Sequence, residues 1–316
     1  MIARAPGKLV LSGAYVVLDG APAVVAAVDR YAEADAARGS GYVGKELRAA
    51  FPDRAPPFVD AESMRTAGRK LGLGSSAAAL VAAIAIDRWR SVVGSFPTPS
   101  PAERAEIAAL AFAAHRLAQG GGSGVDVVAS AFGGVLACRT RDDGPPAHRP
   151  VRLPASLVVE AWICPESAVT AQMLSPVRAL RAAAPARYTE LVAEARAGAE
   201  AFVAAADAGD ARAALEAITA QRRGMLALGA ATGVPILPPY LAALGDLAAI
   251  EGAVFAQAGA GGGDIALFFG RAPSSLSLRR EAASRGLVLV PLTLGAEGVH
   301  PAPSNLLSTS RPNAPN

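Results

Sequence analysis

The chain has 316 residues, of which 52% are hydrophobic, and its formal net charge is +3 at pH 7. This length allows two domains, each with a substantial core. The small net charge and the 5% of aromatic residues argue against a nucleic acid partner, whereas a modest excess of cations suits small polyanions.

The same composition argues against a membrane or secreted protein. Arg, Asp or Gly interrupts every apolar run before it reaches the length of a membrane helix. The N-terminus has no apolar signal core, and Cys138 and Cys164 form neither a disulfide framework nor a zinc pattern. We therefore expect a cytoplasmic protein with no membrane partner.

The first half of the chain predicts short strands followed by two helices. Residues 1–7 and 8–12 are predicted as strand with a turn at Pro6-Gly7, and residues 15–18 and 22–28 as β structure joined by a turn at Asp19-Gly20. Residues 36–57 have weak periodicity and predict loops, and a strand is expected over 58–64. Helices are predicted over 76–93 and 101–119, the second with proline at its first position. A strand follows at 133–138.

The proline-rich stretch from 141 to 154 is the best candidate for a domain boundary. It divides the chain into an N-terminal domain, 1–150, and a C-terminal domain, 151–300, with a flexible tail over 301–316. The second half predicts strands at 157–164, 251–257, 265–269 and 287–292, and helices near 171–183, 187–207, 210–230, 239–247 and 274–285.

One glycine-rich stretch, from Lys70 to Ala79, precedes the first predicted helix. Gly72 and Gly74 allow a ligand to approach the backbone closely, and Ser75 and Ser76 suit a helix N-cap. A glycine turn that opens onto a helix N-terminus favours anions, because free N–H groups and the helix dipole point at the same place. The stretch is neither a Walker A loop nor a dinucleotide-binding fingerprint, since the lysine precedes the glycines and no Gly-x-Gly-x-x-Gly follows a strand.

Three further glycine-rich motifs accompany it: Pro6-Gly7-Lys8, Gly122-Ser123-Gly124-Val125-Asp126, and the stretch from Gly259 to Asp264. In this order and spacing, the four motifs resemble those of the GHMP kinase superfamily, and the details are most similar to phosphomevalonate kinase. The resemblance implies an α+β fold of two domains, with a ribosomal protein S5 domain 2-like N-terminal part and a ferredoxin-like C-terminal part. It also implies ATP-dependent phosphorylation of (R)-5-phosphomevalonate in isoprenoid biosynthesis, with Mg²⁺, by a monomer or homodimer whose partner is the small-molecule substrate.

The resemblance assigns a role to each motif residue. Lys8 and Asp126 are expected to be catalytic, and the hydroxyl of Ser75 to ligate Mg²⁺. The residues expected to bind ATP are Lys70, Gly72, Leu73, Gly74, Ser75, Ser76 and Ala77. Those expected to bind the acceptor are Tyr15, Arg30, Ser123, Gly124, Gly261, Gly262 and Asp264.

Other interpretations of these residues stay open at the level of sequence. Asp126 also fits a helix N-cap, Asp264 a turn cap, and His115 a packed histidine that does not assist Asp126. The sequence Gly13-Ala14-Tyr15 lacks the glutamate that usually follows this glycine in mevalonate and phosphomevalonate kinases. The alternatives are therefore mevalonate kinase or another GHMP small-molecule kinase, or a homologue that binds a nucleotide or phosphometabolite without turnover.

Overall fold

The computed structural model describes residues 1–39, 43–66, 68–90, 98–167 and 170–302. Its strands are β1 (Ile2–Ser12), β2 (Ala23–Asp35), β3 (Phe58–Asp60), β4 (Arg65–Thr66), β5 (Arg69–Lys70), β6 (Val135–Arg139), β7 (Ala147–Pro150), β8 (Val158–Ile163), β9 (Val254–Gln257), β10 (Ile265–Gly270), β11 (Val288–Val290) and β12 (His300–Pro301). Its α-helices are α1 (Lys45–Ala50), α2 (Ser75–Trp89), α3 (Pro101–Gln119), α4 (Val125–Phe132), α5 (Thr170–Ala183), α6 (Pro185–Ala208), α7 (Ala211–Thr232), α8 (Pro239–Ile250) and α9 (Leu276–Ser284). The predicted α+β fold is confirmed.

The strands form two main antiparallel sheets, one in each half of the chain. The N-terminal sheet has the order β12-β1-β2-β6-β7, and β3 also pairs with β2. The C-terminal sheet has the order β11-β8-β10-β9. An apolar layer joins the halves, because Leu9 and Val24 of the first sheet belong to the same buried cluster as Phe202, Leu267 and Phe269.

The first strand corrects the turn predicted at Pro6-Gly7. β1 runs without a break over 11 residues, and the register of its pairing with β2 shifts between Pro6 and Gly7. The glycine is thus at a β-bulge, which re-aims the strand instead of reversing it. A Cβ on Gly7 would lie 2.8 Å from the carbonyl oxygen of Leu73, so this bulge also brings β1 against the glycine loop.

Three other predictions in the first half are wrong. The strand expected over 58–64 covers only Phe58–Asp60, and a 3-10 helix, Glu62–Met64, follows it. The predicted β structure over 15–18 is a 3-10 helix, Val16–Asp19, which Gly20 ends in the left-handed conformation. The predicted loop over 36–57 contains helix α1. Apolar β-branched residues favour strand locally, but here Val16 and Val17 are buried as one short turn of helix, and tertiary packing overrides that preference.

The two long N-terminal helices are close to their predictions. α3 begins at Pro101 with a complete capping box, in which Ser100 and Glu103 satisfy each other's backbone N–H groups. α2 begins at Ser75 and ends at Trp89, while the last predicted residues of that helix, 91–93, lie outside the described residues.

The end of the chain returns to the N-terminal sheet. β12 pairs with β1, and Val299 is fully buried in the core formed with α2 and α3. Residues 303–316 of the predicted tail lie outside the described residues, and the division at residue 150 stays a prediction. Among the described helices, none is long and apolar enough to cross a membrane.

Candidate active site

A cleft of about 700 Å³ lies between the two halves of the chain. Both halves contribute to its lining. The predicted site residues that line it are Lys8, Tyr15, Lys70, Gly72, Gly74, Ser75, Ser76, Ala77, Ser123, Gly124, Asp126, Gly261 and Asp264. The fold thus collects the four glycine-rich motifs around one space.

Three predicted site residues lie outside that lining. Leu73 is buried in the core and contributes its carbonyl oxygen, which accepts the backbone N–H of Lys8 at 2.8 Å. Gly262 donates its N–H to the carbonyl oxygen of Ile236. The guanidinium of Arg30 instead donates to the carbonyl oxygens of Asp29 and Pro291, at 3.3 and 3.4 Å. The structure does not bring Arg30 to the cleft.

The glycine loop ends at the N-terminus of α2. Gly74 occupies the N-cap position with φ 74°, and no side chain caps the helix there. Ser75 and Ser76 lie inside the first turn, which corrects their predicted role as caps. The first N–H groups of α2 therefore have no side-chain partner at the cleft wall, which is the arrangement that binds phosphate oxygens.

Both loop glycines leave room for a charged neighbour. A Cβ on Gly72 would lie 2.6 Å from Cβ of Asp264, and a Cβ on Gly74 would lie 3.0 Å from Cε of Lys8. Each glycine also has a positive φ that other residues rarely adopt. Glycine is therefore needed at both positions for the loop to lie against Lys8 and Asp264.

Lys8 extends from β1 beneath the loop. Its Nζ donates to the carbonyl oxygen of Gly72 at 3.4 Å. Desolvation lowers the pKa of Lys8, while the carboxylates of Asp126 and Asp264 oppose that shift. The half-buried ammonium group is thus near enough to both carboxylates for their charges to act on it.

Asp126 lies in the first turn of α4, whose N-cap is Gly124. The N-cap interpretation of Asp126 is therefore wrong. Its Oδ1 accepts the N–H of Val127 at 3.0 Å and lies 3.8 Å from Nε2 of His115. His115 is buried, and its Nδ1 has no hydrogen-bond partner among the described residues. His115 is thus packed in the interior, as one of the open interpretations had it, and its imidazole lies near the Asp126 carboxylate beyond hydrogen-bond distance.

Two cleft residues, one from each half of the chain, have strained backbone. Asp264 has φ 56°, and its Oδ1 accepts a hydrogen bond from the Ser167 hydroxyl at 2.7 Å. Tyr15 has φ 64°, and its hydroxyl donates to the carbonyl oxygen of Ala260 at 2.7 Å. Burial raises the pKa of the Tyr15 phenol, so the group stays a neutral donor that ties the two halves together.

Sequence reasoning missed Arg69, a second cross-cleft tie. Its guanidinium donates to the carbonyl oxygens of Cys164, Pro165 and Glu166, at 3.3, 2.7 and 2.7 Å. The only signal in the sequence is its place beside Lys70, ahead of the glycine loop. Because its partners are carbonyl oxygens distant in sequence, no local pattern could identify them.

The lining fits a magnesium nucleotide better than a metal held by protein alone. Among the described residues, no cluster of three or more His, Cys, Asp or Glu side chains could hold a metal ion. The hydroxyl of Ser75 lines the cleft beside the free N–H groups of α2. Mg²⁺ commonly takes one or two protein ligands and completes its shell with phosphates and water, so this sparse set is sufficient.

Comparisons with known proteins agree with this architecture. Residues 45–134 match the GHMP kinases N terminal domain. The chain is 29% identical to phosphomevalonate kinase of Streptomyces sp. (strain CL190), over 95% of this chain and 98% of that protein.

Two solved structures have the same fold. A Lin0012 protein from Listeria innocua superposes with a TM-score of 0.80 at 21% identity, covering 95% of this chain and 99% of that one. Streptococcus pneumoniae phosphomevalonate kinase, in complex with phosphomevalonate and AMPPNP, superposes with a TM-score of 0.74 at 18% identity, covering 93% and 99%. The chain thus resembles the GHMP kinases in its N-terminal part and in its overall fold, and phosphomevalonate kinase along nearly its whole length.

Proposed function

We propose that this phosphotransferase transfers the γ-phosphoryl group of ATP to (R)-5-phosphomevalonate. One observation carries the proposal: the half-buried Lys8 lies against a glycine loop at a helix N-terminus, in a cleft that Asp126 and Asp264 also line. The similarity to a phosphomevalonate kinase over 95% of the chain supports this choice of acceptor.

In this proposal the glycine loop holds the donor. The N–H groups at the start of α2 bind the phosphates of ATP, and Lys70 adds a positive charge beside them. The hydroxyl of Ser75 contributes a ligand to Mg²⁺, which neutralises charge on the transferring phosphoryl group when bound. Phosphoryl transfer depends mainly on such positioning and charge neutralisation.

Lys8 and Asp126 act at the junction of donor and acceptor. The ammonium of Lys8 stabilises charge that develops on the transferred group, in a site where little water screens it. A phosphate monoester has a second pKa of about 6, so the acceptor is mostly dianionic near neutral pH and already nucleophilic. Asp126 then orients Lys8 and the acceptor and has no proton to remove.

The His115–Asp126 pair favours a second candidate, an alcohol acceptor such as mevalonate. An alcohol must lose its proton as it attacks, and a carboxylate backed by a buried imidazole suits a general base. In this alternative Asp126 accepts the proton of the acceptor hydroxyl, and His115 stabilises the carboxylate of Asp126 on the side away from the acceptor. The two candidates thus differ in whether the reaction needs a base.

An ADP-release assay with a panel of acceptors tests the proposal. We expect turnover with phosphomevalonate, a rate that falls below about pH 6 as the acceptor gains its second proton, and an Asp126→Asn variant that keeps substantial activity. Loss of a true general base costs ~10²–10⁴ in rate. Efficient turnover of mevalonate with phosphomevalonate inert would promote the second candidate, and no turnover with either would favour a binding homologue.

A further inference from the structure

The cations that line the cleft differ in how fully they are engaged. Lys8 donates to the carbonyl oxygen of Gly72, and the donors of Arg69 are occupied by three carbonyl oxygens. Lys70 is adjacent to the glycine loop. Arg178 also lines the cleft, yet its guanidinium forms no ion pair or hydrogen bond within the described part of the chain.

Helix α5 determines where along the cleft this guanidinium lies. Thr170, Leu174 and Arg178 line the cleft at intervals of four residues, so one face of the helix follows its wall. Thr170 is close in sequence to Ser167, whose hydroxyl binds Asp264 beside Lys8. Eight helical residues span about 12 Å, so Arg178 lies well beyond the reaction centre.

The residues around Arg178 do not neutralise its positive charge. One carboxylate that contacts this end of α5 is Asp19, in the 3-10 helix next to the cleft residues Val17 and Leu18. Asp19 already binds Arg181 at 2.7 Å and the hydroxyl of Tyr188 at 2.5 Å. Within the described part of the chain, Arg178 is therefore an exposed, unpaired cation on the wall of the cleft.

We propose that Arg178 is a specificity-determining residue that binds a carboxylate at the end of the acceptor remote from the transferred phosphoryl group. The proposal rests on the function proposed above. A guanidinium pairs with a carboxylate through two parallel hydrogen bonds, which fix orientation as well as adding affinity. The acceptor class is then a molecule with a nucleophilic oxygen at one end and a carboxylate at the other.

The test compares two acceptors with the wild type and three variants. The acceptors are phosphomevalonate and its analogue with the carboxylate reduced to a primary alcohol. The enzymes are the wild type, Arg178→Ala, and Arg187→Ala as a matched control, since Arg187 is an exposed arginine on α6 outside the cleft lining. Arg178→Lys, which keeps the charge without the fork geometry, is expected to fall between wild type and Arg178→Ala.

We expect Arg178→Ala to raise KM for phosphomevalonate about tenfold or more, with kcat and the KM for ATP nearly unchanged. The wild type should lose the same factor with the reduced analogue, and Arg178→Ala should lose nothing further. Unchanged kinetics in Arg178→Ala, while the wild type is active, would overturn this inference alone. An equal penalty with both acceptors would place Arg178 at the phosphate end and also overturn it. A wild type inert with phosphomevalonate would remove the proposed function and this inference together.

Discussion

Gly74 offers the sharpest test of the glycine loop, because a single methyl group added there would contact the side chain of Lys8. In Gly74→Ala the new Cβ would lie 3.0 Å from Cε and 3.2 Å from Cγ of Lys8. Both distances are shorter than normal contacts, and the flexible lysine side chain is the part that can move. We therefore expect the substitution to displace the ammonium group from its place between the two carboxylates.

The expected losses of stability and of rate distinguish backbone strain at Gly74 from displacement of Lys8. The φ of 74° at this position costs a residue with a Cβ about 1–2 kcal/mol. At about 2–4 °C per kcal/mol, this lowers Tm by only a few degrees. Displacement of Lys8 should cost much more in rate, between about tenfold and the ~10²–10³ typical of losing a charge-stabilising group.

Gly233→Ala is the matched control for that experiment. Gly233 ends α7 with φ 70°, and a Cβ there would meet nothing within 4 Å. Both variants should lose similar stability in thermal unfolding, but only Gly74→Ala should lose kcat in the ADP-release assay. Equal kinetics in the two variants would refute the idea that the loop positions Lys8.

Three further changes probe the site. Lys8→Ala should stay folded and lose ~10²–10³ in kcat, and wild-type turnover in the purified variant would remove Lys8 from the mechanism. Asp126→Asn should move the alkaline limb of the pH profile of kcat/KM to lower pH. The reason is that the Asp126 charge raises the pKa of Lys8, which is active when protonated. An alkaline limb at unchanged pH would mean that another group titrates there. Tyr15→Phe leaves the carbonyl of Ala260 without its donor and should cost about 1 kcal/mol in chemical unfolding, whereas unchanged stability would show that this bond contributes nothing net.

The parts of the structure that the sequence predicts well are those set by local signals. The capping box at Ser100 and Glu103 fixes the start of α3, and the glycine loop before α2 is apparent from composition. The failures involve contacts between distant segments. The local sequence of Val16–Asp19 predicts a strand, whereas burial against the C-terminal helices specifies the 3-10 helix.

In the site, too, local signals are predicted well and contacts between distant segments are not. Gly74 and Lys8 were each predicted, but their contact depends on the pairing of β1 with the loop and could not be predicted. His115 and Asp126 are close in sequence, yet the left-handed backbone of the glycines between them decides whether their side chains meet. Arg30 was placed at the site by motif order, whereas the direction of β2 carries it elsewhere.

The pairing of β12 with β1 has a consequence for how the chain folds during synthesis. The two strands join residues almost 300 positions apart, Ala3 with Pro301 and Arg4 with His300. Val299 is fully buried, and Glu297 binds Arg104 at 3.2 Å, so the N-terminal core needs these late residues. Domains usually fold in order as they leave the ribosome. Here the N-terminal half cannot close its sheet edge until residues 300–301 have been synthesised, which leaves β1 exposed to wrong partners in the meantime.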